Sequence, residues 1–462
     1  MRPFEIIIPS LLAINLAWVR PRPYLIQLFP ITALILVAIH LLSEGYRWQM
    51  IPIYLVTAIL GLMAIIRFQS PVDLKPLASY LTLGLLAVST TLPVLLPVPV
   101  IPTPSGSYPI GTRIIDLTDN SRKEIYSGKD EPRRFMIQVW YPSKAGSSNQ
   151  RAPWMEHAEI VAPAIATYLK LPSFFLDHLE LVDVPANKDS NVAEADSEFP
   201  IILFSHGWNG FNAQNTGQAL ELASHGYVVA AVQHTYGAVI TVFPDGTIAP
   251  NNPNALPPDD TPTDEYETSA HVLVKQWAGD LGYTLDYLDL QNKNPNSPFY
   301  NRLDLTRVGV YGHSTGGGAA IQFCGTDSRC TALLGMDPFM RPVSYDVIDR
   351  GTPQPSFFMF SQGWLQDAGN KRSNELFQHF IPHVSNSVGV ISIDGTKHYD
   401  FSDLPLLSPL APQLGLKGPI NGKRVVTIVD DYLLSFFEMT LNRGSSALFT
   451  HPSPFPEVKP RN

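Results

Sequence analysis

Apolar residues run almost unbroken through the first hundred positions, in four stretches at 4–19, 24–42, 50–66 and 77–100. Short loops carrying Arg20, Arg22, Glu44, Arg47, Arg67, Asp73 and Lys75 separate them. A helix needs roughly 20 mostly apolar residues to cross a bilayer, so this pattern predicts an all-α transmembrane segment of three or four helices over residues 1–100. The first stretch is short and holds Glu5, Pro9 and Asn15, which leaves the number of spans open. A cleaved signal peptide accounts for one apolar stretch but leaves the others as loose hydrophobic helices. By the positive-inside bias, Arg20 with Arg22 and Arg67 with Lys75 mark cytoplasmic loops. The remainder of this multi-pass protein is then expected on the exoplasmic side of the cell membrane.

Beyond residue 100 the pattern changes. Pro102, Pro104, Ser105, Gly106 and Ser107 mark a turn-rich linker over 101–112, after which charge returns and hydrophobic runs shorten. Strand-like runs follow at 134–141, 199–205, 227–233, 307–311, 332–336, 356–360 and 388–393, with helices between them and a closing amphipathic helix near 425–441. Leu273, Trp277, Leu281, Leu285 and Leu288 form a stripe on one long helix and read as core. Strands separated by helices imply an α/β domain, over 113–445, with a mostly parallel sheet flanked by helices. A Pro- and Asn-rich loop over 235–263 is long enough to be a lid or pocket wall. Residues 446–462 read as a polar tail.

Composition adds two exclusions. A net charge of −9 over 462 residues gives no footing for nucleic acid, and charged residues are only 16% of the chain, below the roughly 25% typical of soluble domains. That deficit is concentrated in the first hundred residues, which makes a lipid bilayer the expected partner. The two cysteines, Cys324 and Cys330, are either an exoplasmic disulfide or two buried thiols. Without flanking histidines they supply half a zinc site, so neither a metal nor a cofactor is expected.

The candidate chemistry sits at Gly312-His313-Ser314-Thr315-Gly316, between a predicted strand and a helix-compatible run. The bare G-x-S-x-G pattern arises by chance in roughly one chain of this length in six. Its position between strand and helix makes it a nucleophile elbow of an α/β-hydrolase fold, with Ser314 as the nucleophile. The Thr315 amide, at the helix start, is one expected oxyanion donor. The Trp208 amide, in Ser205-His206-Gly207-Trp208-Asn209-Gly210-Phe211, is the other. His206 itself reads as a brace for that loop. Serine needs a base and the base a carboxylate, which in this fold follow the nucleophile in the order acid, then histidine. His398, after the last predicted strand, is better placed than His379, His383 or His451. Spacing leaves two acids open, Asp337 and Asp367.

The chain from Gly106 to about Leu441 resembles the platelet-activating factor acetylhydrolase family. The likeness rests on Gly106-Ser107-Tyr108-Pro109-Ile110-Gly111 with Val139-Trp140-Tyr141-Pro142, on Phe204-Ser205-His206-Gly207, on the elbow followed by Gly317, and on His398-Tyr399-Asp400-Phe401-Ser402-Asp403. The resemblance implies Asp337, in Leu334-Gly335-Met336-Asp337-Pro338-Phe339-Met340, as the acid, and a metal-independent hydrolase of short or oxidised acyl groups on phospholipids. Phe211, Phe339, Met340 and Tyr399 are the expected pocket residues. Thr315, Trp208 and Phe339 depart from the family's usual Phe, Leu and Trp, so substrate preference carries over least. A general carboxylesterase or polyester hydrolase with the same triad, and a catalytically silent membrane protein of the same fold, are the alternatives.

Overall fold

The structure is a computed structural model that describes residues 1–19, 21–66, 74–195, 197–258 and 260–461. Arg20, Arg67 and Asp73, part of the loop-charge reasoning, lie outside them. At the centre of the described residues is an eleven-stranded sheet. Six neighbouring strands run parallel, in the order Val228–Gln233, Phe199–Ser205, Leu303–His313, Ala332–Met336, Pro355–Ser361 and Asn386–Ile393. Their near-continuous apolar sequences follow from burial on both faces. Along Phe199–Ser205, Ile201 and Leu203 enter one core and Ile202 and Phe204 the other. Helices Thr263–Lys293 and Thr315–Thr326 cover the first, and Thr216–Ser224 and Gly422–Leu441 the second. Leu273, Trp277, Leu281, Leu285 and Leu288 are all fully buried, as their spacing predicts.

The strand order reverses at Phe199–Ser205. The chain leaves it for Val228–Gln233 on one side and later returns, as Leu303–His313, on the other. A crevice therefore opens at the carboxyl ends of these strands, the usual ligand position in open α/β sheets. Both the 206–211 loop and the Ser314 elbow emerge there.

Three features depart from the sequence expectation. Strand Ile110–Lys123 begins inside the expected 101–112 linker and pairs antiparallel with Pro132–Pro142. Its many polar positions, among them Thr118, Arg122 and Lys123, hide the strand from an apolar-run criterion. The 235–263 segment contains a small hairpin, Ile240–Val242 with Ile248–Pro250, and is a pocket wall, but of a neighbouring cavity that also includes Phe211 and not of the cavity at Ser314. The expected polar tail is structured: strand Val458–Pro460 adds antiparallel to Asn386–Ile393, and Phe455 packs on Tyr432 beneath the Arg424 guanidinium.

The first hundred residues form helices Pro3–Ala17, Tyr24–Gln27 with Phe29–Ser43, Ile51–Ile66 and Pro76–Leu95. The second stretch breaks at Leu28, just ahead of Pro30, which has no N–H to give. Two helices, Trp48–Ile66 and Pro76–Leu95, are long and apolar enough to cross a membrane, and the other two are shorter. Ile8, Leu12, Ala33, Ile53, Leu60 and Leu86 pack between the helices, whereas Leu42, Leu55, Ile59, Ile66, Leu77 and Leu81 face outward. Glu5, the charge that sits oddly in the first stretch, is fully buried between Arg2 and Arg47. The helices also touch the α/β domain. Trp48 packs on Phe174 and Phe175, the Gln49 amide lies 2.9 Å from His178 Nδ1, and Ser408 Oγ donates to the Leu95 carbonyl at 2.5 Å.

Because the terminal strand closes the sheet edge through Phe455, we expect Phe455→Ala to lower unfolding stability by about 3 kcal/mol. Denaturant titration of wild type and variant in the same detergent measures this, and equal midpoints would show the tail to be dispensable.

Candidate active site

Ser314 occupies the turn between strand Leu303–His313 and helix Thr315–Thr326 with φ 58° and ψ −124°. Such a backbone costs a non-glycine residue about 1–3 kcal/mol and persists only where the surroundings over-determine it. They do so here. The Ser314 N–H donates to the Met336 carbonyl at 3.0 Å, and its carbonyl accepts from Gly318 at 3.1 Å and Phe339 at 2.9 Å. A Cβ on Gly316 would lie 2.1 Å from the Ser205 carbonyl oxygen, so only glycine lets the elbow approach the neighbouring strand this closely.

Asp337 follows strand Ala332–Met336 directly, with φ 43°. Its carboxylate accepts from Ser361 N–H at 2.7 Å, Ser361 Oγ at 2.6 Å and His398 Nδ1 at 3.0 Å. His398 lies in the turn His398–Phe401, with its ring between Trp364, stacked at 4.7 Å, and His313 at 4.3 Å. His313 also donates from Nε2 to the His398 carbonyl at 3.0 Å while Gln214 donates to its Nδ1. With Nδ1–H given to Asp337, His398 keeps a free Nε2 lone pair, and Ser314 and His398 line the same cavity. Among the described residues Ser314 Oγ makes no hydrogen bond. Bonds of this kind commonly tighten only around substrate.

Burial dominates the electrostatics. It pushes the His398 imidazole down, to about 3, and the Asp337 carboxyl up, to about 7, against the pull of the Ser361 donors. At neutral pH His398 is therefore an uncharged acceptor, the form a general base requires. Ligand atoms of His313, Asp337 and His398 lie within 4.8 Å of one another. Their mutual bonds, with Ser361 and Gln214, already engage every one of those groups except His398 Nε2.

Neither the Trp208 N–H nor the Thr315 N–H, at the first helical position, is taken by a protein acceptor among the described residues. Both flank Ser314, since a Cβ on Gly207 would be 3.2 Å from Ser314 Cβ. The cavity over Ser314 measures about 200 Å³ and is lined by Trp208, Phe211, His398 and Tyr399. The rest of its wall includes Ile165, Tyr168, Leu169, Leu179, Leu404, Leu407 and Leu416.

Phe211 and Tyr399 thus line the cavity as expected, and Phe339 and Met340 do not. Met340 is fully buried in the core across the sheet, and Phe339 packs on Tyr266 and Trp364. The chain turns from Asp337 toward helix Thr315–Thr326 and takes both away from the opening. Asp367 is exposed and caps the turn Ala368–Asn370 through Gly369 N–H, so it is not brought to His398 Nδ1. Sequence reasoning missed Ser361, Gln214 and the rest of the cavity wall. The acids after His398 anchor that loop: Asp400 accepts from Lys397 and Gly418, and Asp403 from Gly217. Cys324 and Cys330 form a disulfide, with Cα atoms 5.2 Å apart.

The model of the family described as "Platelet-activating factor acetylhydrolase, isoform II" matches residues 97–446. A platelet-activating factor acetylhydrolase of Cavia porcellus is 27% identical over 365 residues, covering 74% of this chain and 78% of that one. A probable 1-alkyl-2-acetylglycerophosphocholine esterase of Arthroderma benhamiae is 24% identical over 381 residues, covering 78% and 92%. Among solved structures, a ferulic acid esterase from Streptomyces cinnamoneus superposes with a TM-score of 0.64 at 25% identity, covering 79% of this chain and all of that one.

Two outcomes follow from the Asp337–His398 geometry. Asp337→Asn is expected to lower kcat by about 10³–10⁴-fold, as loss of the correct imidazole tautomer does, whereas Asp367→Asn leaves it within about twofold. In the wild type, kcat/KM for a soluble ester should fall as pH drops through about 7, where the raised Asp337 carboxyl takes up its proton. A profile flat down to about pH 5 contradicts a working His–Asp pair.

Proposed function

The chain belongs to the platelet-activating factor acetylhydrolase isoform II family and is a carboxylic ester hydrolase. On that premise we propose that it is a membrane-anchored serine hydrolase that removes short or oxidised acyl groups from phospholipids. The observation that carries the reading is the convergence of the Ser314 elbow, the Asp337–His398 hydrogen bond and two open amides on one apolar cavity. His398 takes the Ser314 proton as Oγ attacks the ester carbonyl, and the Trp208 and Thr315 amides receive the oxyanion. His398 then returns the proton to the departing alcohol, and water hydrolyses the acyl-enzyme by the same path. Above about pH 7 Asp337 is ionised and stabilises the imidazolium.

Cavity size supports a short acyl chain. At about 200 Å³ the space over Ser314 is below the roughly 300–1,000 Å³ of drug-sized ligand sites. The outward apolar faces of the N-terminal helices support residence in a bilayer, because exposed patches of that extent are avoided in water. The segments that meet those helices, around Phe175, His178 and Ser408, adjoin the wall of the cavity, so a membrane anchor would hold its mouth near lipid. The Cys324–Cys330 bridge supports an exoplasmic catalytic domain, since cytosolic thiols are kept reduced. The ferulic acid esterase likeness favours, as a second reading, a general carboxylesterase with the same residues.

The test compares wild type and Ser314→Ala on a short-acyl phospholipid, a long-acyl phospholipid and a soluble short-chain ester, all in detergent or vesicles. We expect wild type to prefer the short-acyl phospholipid and Ser314→Ala to lose about 10⁶-fold in kcat on every substrate. Activity on the soluble ester alone would replace the lipid reading with the carboxylesterase one. Activity that survives in Ser314→Ala would remove the mechanism.

A further inference from the structure

A second Ser–His–Asp arrangement lies under the loop that carries Trp208. Ser205 Oγ is 2.9 Å from His234 Nε2, and His234 Nδ1 is 3.0 Å from Asp280 Oδ2. The order of contacts matches that of a catalytic triad, yet all three residues have no solvent exposure, so no substrate reaches the Ser205 hydroxyl. What this arrangement controls is next to it.

Burial alone would raise the Asp280 carboxyl, but Arg133, His234 and Arg122 hold it well below the usual carboxylate range. Arg133 donates at 2.7 and 3.1 Å and Arg122 at 2.9 Å. An ionised carboxylate at Nδ1 makes His234 a donor there and an acceptor at Nε2, where the Ser205 hydroxyl donates. Trp277 lies flat on the His234 ring, 4.2 Å away and inclined by 5°, which fixes its plane. The backbone N–H of His234 donates to His206 Nε2 at 3.1 Å. That nitrogen is therefore unprotonated, and His206 must carry its proton on Nδ1, which donates to the Gly207 carbonyl at 2.7 Å.

The Gly207 carbonyl and the Trp208 N–H belong to one peptide unit. A trans peptide is planar with C=O and N–H pointing in opposite directions, so fixing one end fixes the other. Gly210 N–H adds a second bond to the same carbonyl at 2.9 Å. We infer that His206, oriented by His234, Asp280 and Ser205, is a positioning residue that sets the Gly207–Trp208 peptide plane and so aims the Trp208 N–H at the oxyanion. The inference rests on the reading of Ser314 as nucleophile.

The test uses the full-length protein in detergent and three variants. His206→Phe keeps a ring and loses the donor to Gly207; His206→Asn keeps an N–H close to the Nδ1 position; Ser205→Ala removes only the far end of the chain. Rates are expressed per folded molecule for a soluble short-chain ester. They are compared with the Ki of a short alkylboronic acid, whose serine adduct places an oxygen in the oxyanion site. We expect His206→Phe to lower kcat by about 100-fold with KM nearly unchanged, as loss of one oxyanion donor does. The boronate Ki should weaken in proportion, and His206→Asn should lose measurably less than His206→Phe in both.

A folded His206→Phe with wild-type kcat, or equal losses in the Phe and Asn variants, overturns the inference. If His206→Phe does not fold, Ser205→Ala decides. A fall in kcat with a parallel rise in boronate Ki supports the positioning role, and wild-type values for both overturn it. Ser314→Ala separates the two levels: residual activity there removes the parent reading, whereas an inactive Ser314→Ala beside an unimpaired His206→Phe removes this inference alone.

Discussion

The site depends on one close approach. Gly316, in the first turn of the helix after Ser314, rests against the Ser205 and His206 carbonyls with no room for a side-chain carbon. That contact joins the ends of the two strands at the point where the sheet order reverses. It places the elbow serine beside the 206–211 loop, so the proposed nucleophile and its proposed second oxyanion donor share one crevice. Asp337 and His398 come from strands farther along the same parallel run and need only short loops to reach it. The strained backbone at Ser314 and Asp337 is what a rigid sheet can hold and a flexible loop cannot.

Two Ser–His–Asp arrangements in one domain show how far surroundings decide chemistry. At Ser314 the histidine keeps an open lone pair toward a cavity. At Ser205 the same three residue types are sealed, their acid neutralised by two arginines and their histidine capped by an indole face. Hydrogen-bond order alone does not make a nucleophile; access and an oxyanion site do.

Much of this was legible in the sequence. The elbow, its flanking strand and helix, His398 and the buried stripe of the long helix follow from local patterns that the fold leaves intact. Spacing alone left Asp337 and Asp367 open, because both follow strands of the same sheet, and it was the family resemblance that pointed to Asp337; the turn there, with its Ser361 donors, brings that carboxylate to His398. The cavity walls were hidden for another reason. Ile165, Leu169, Leu404 and Leu416 come from segments distant in the chain, and each reads as ordinary core until the fold turns them toward Ser314. Phe339 and Met340 show the reverse error, since adjacency to Asp337 in the chain does not carry across the sheet. Strand Ile110–Lys123 and the terminal strand escaped because each has a polar, half-exposed face.

The account stands on the claim that Ser314, and not its buried counterpart Ser205, is the reactive serine. Treatment of the intact protein with a fluorophosphonate, followed by peptide mass spectrometry, reads this directly. The account predicts one covalent adduct, on the peptide containing Ser314, formed in step with loss of esterase activity. An adduct on Ser205, or complete inactivation with Ser314 unmodified, would contradict it.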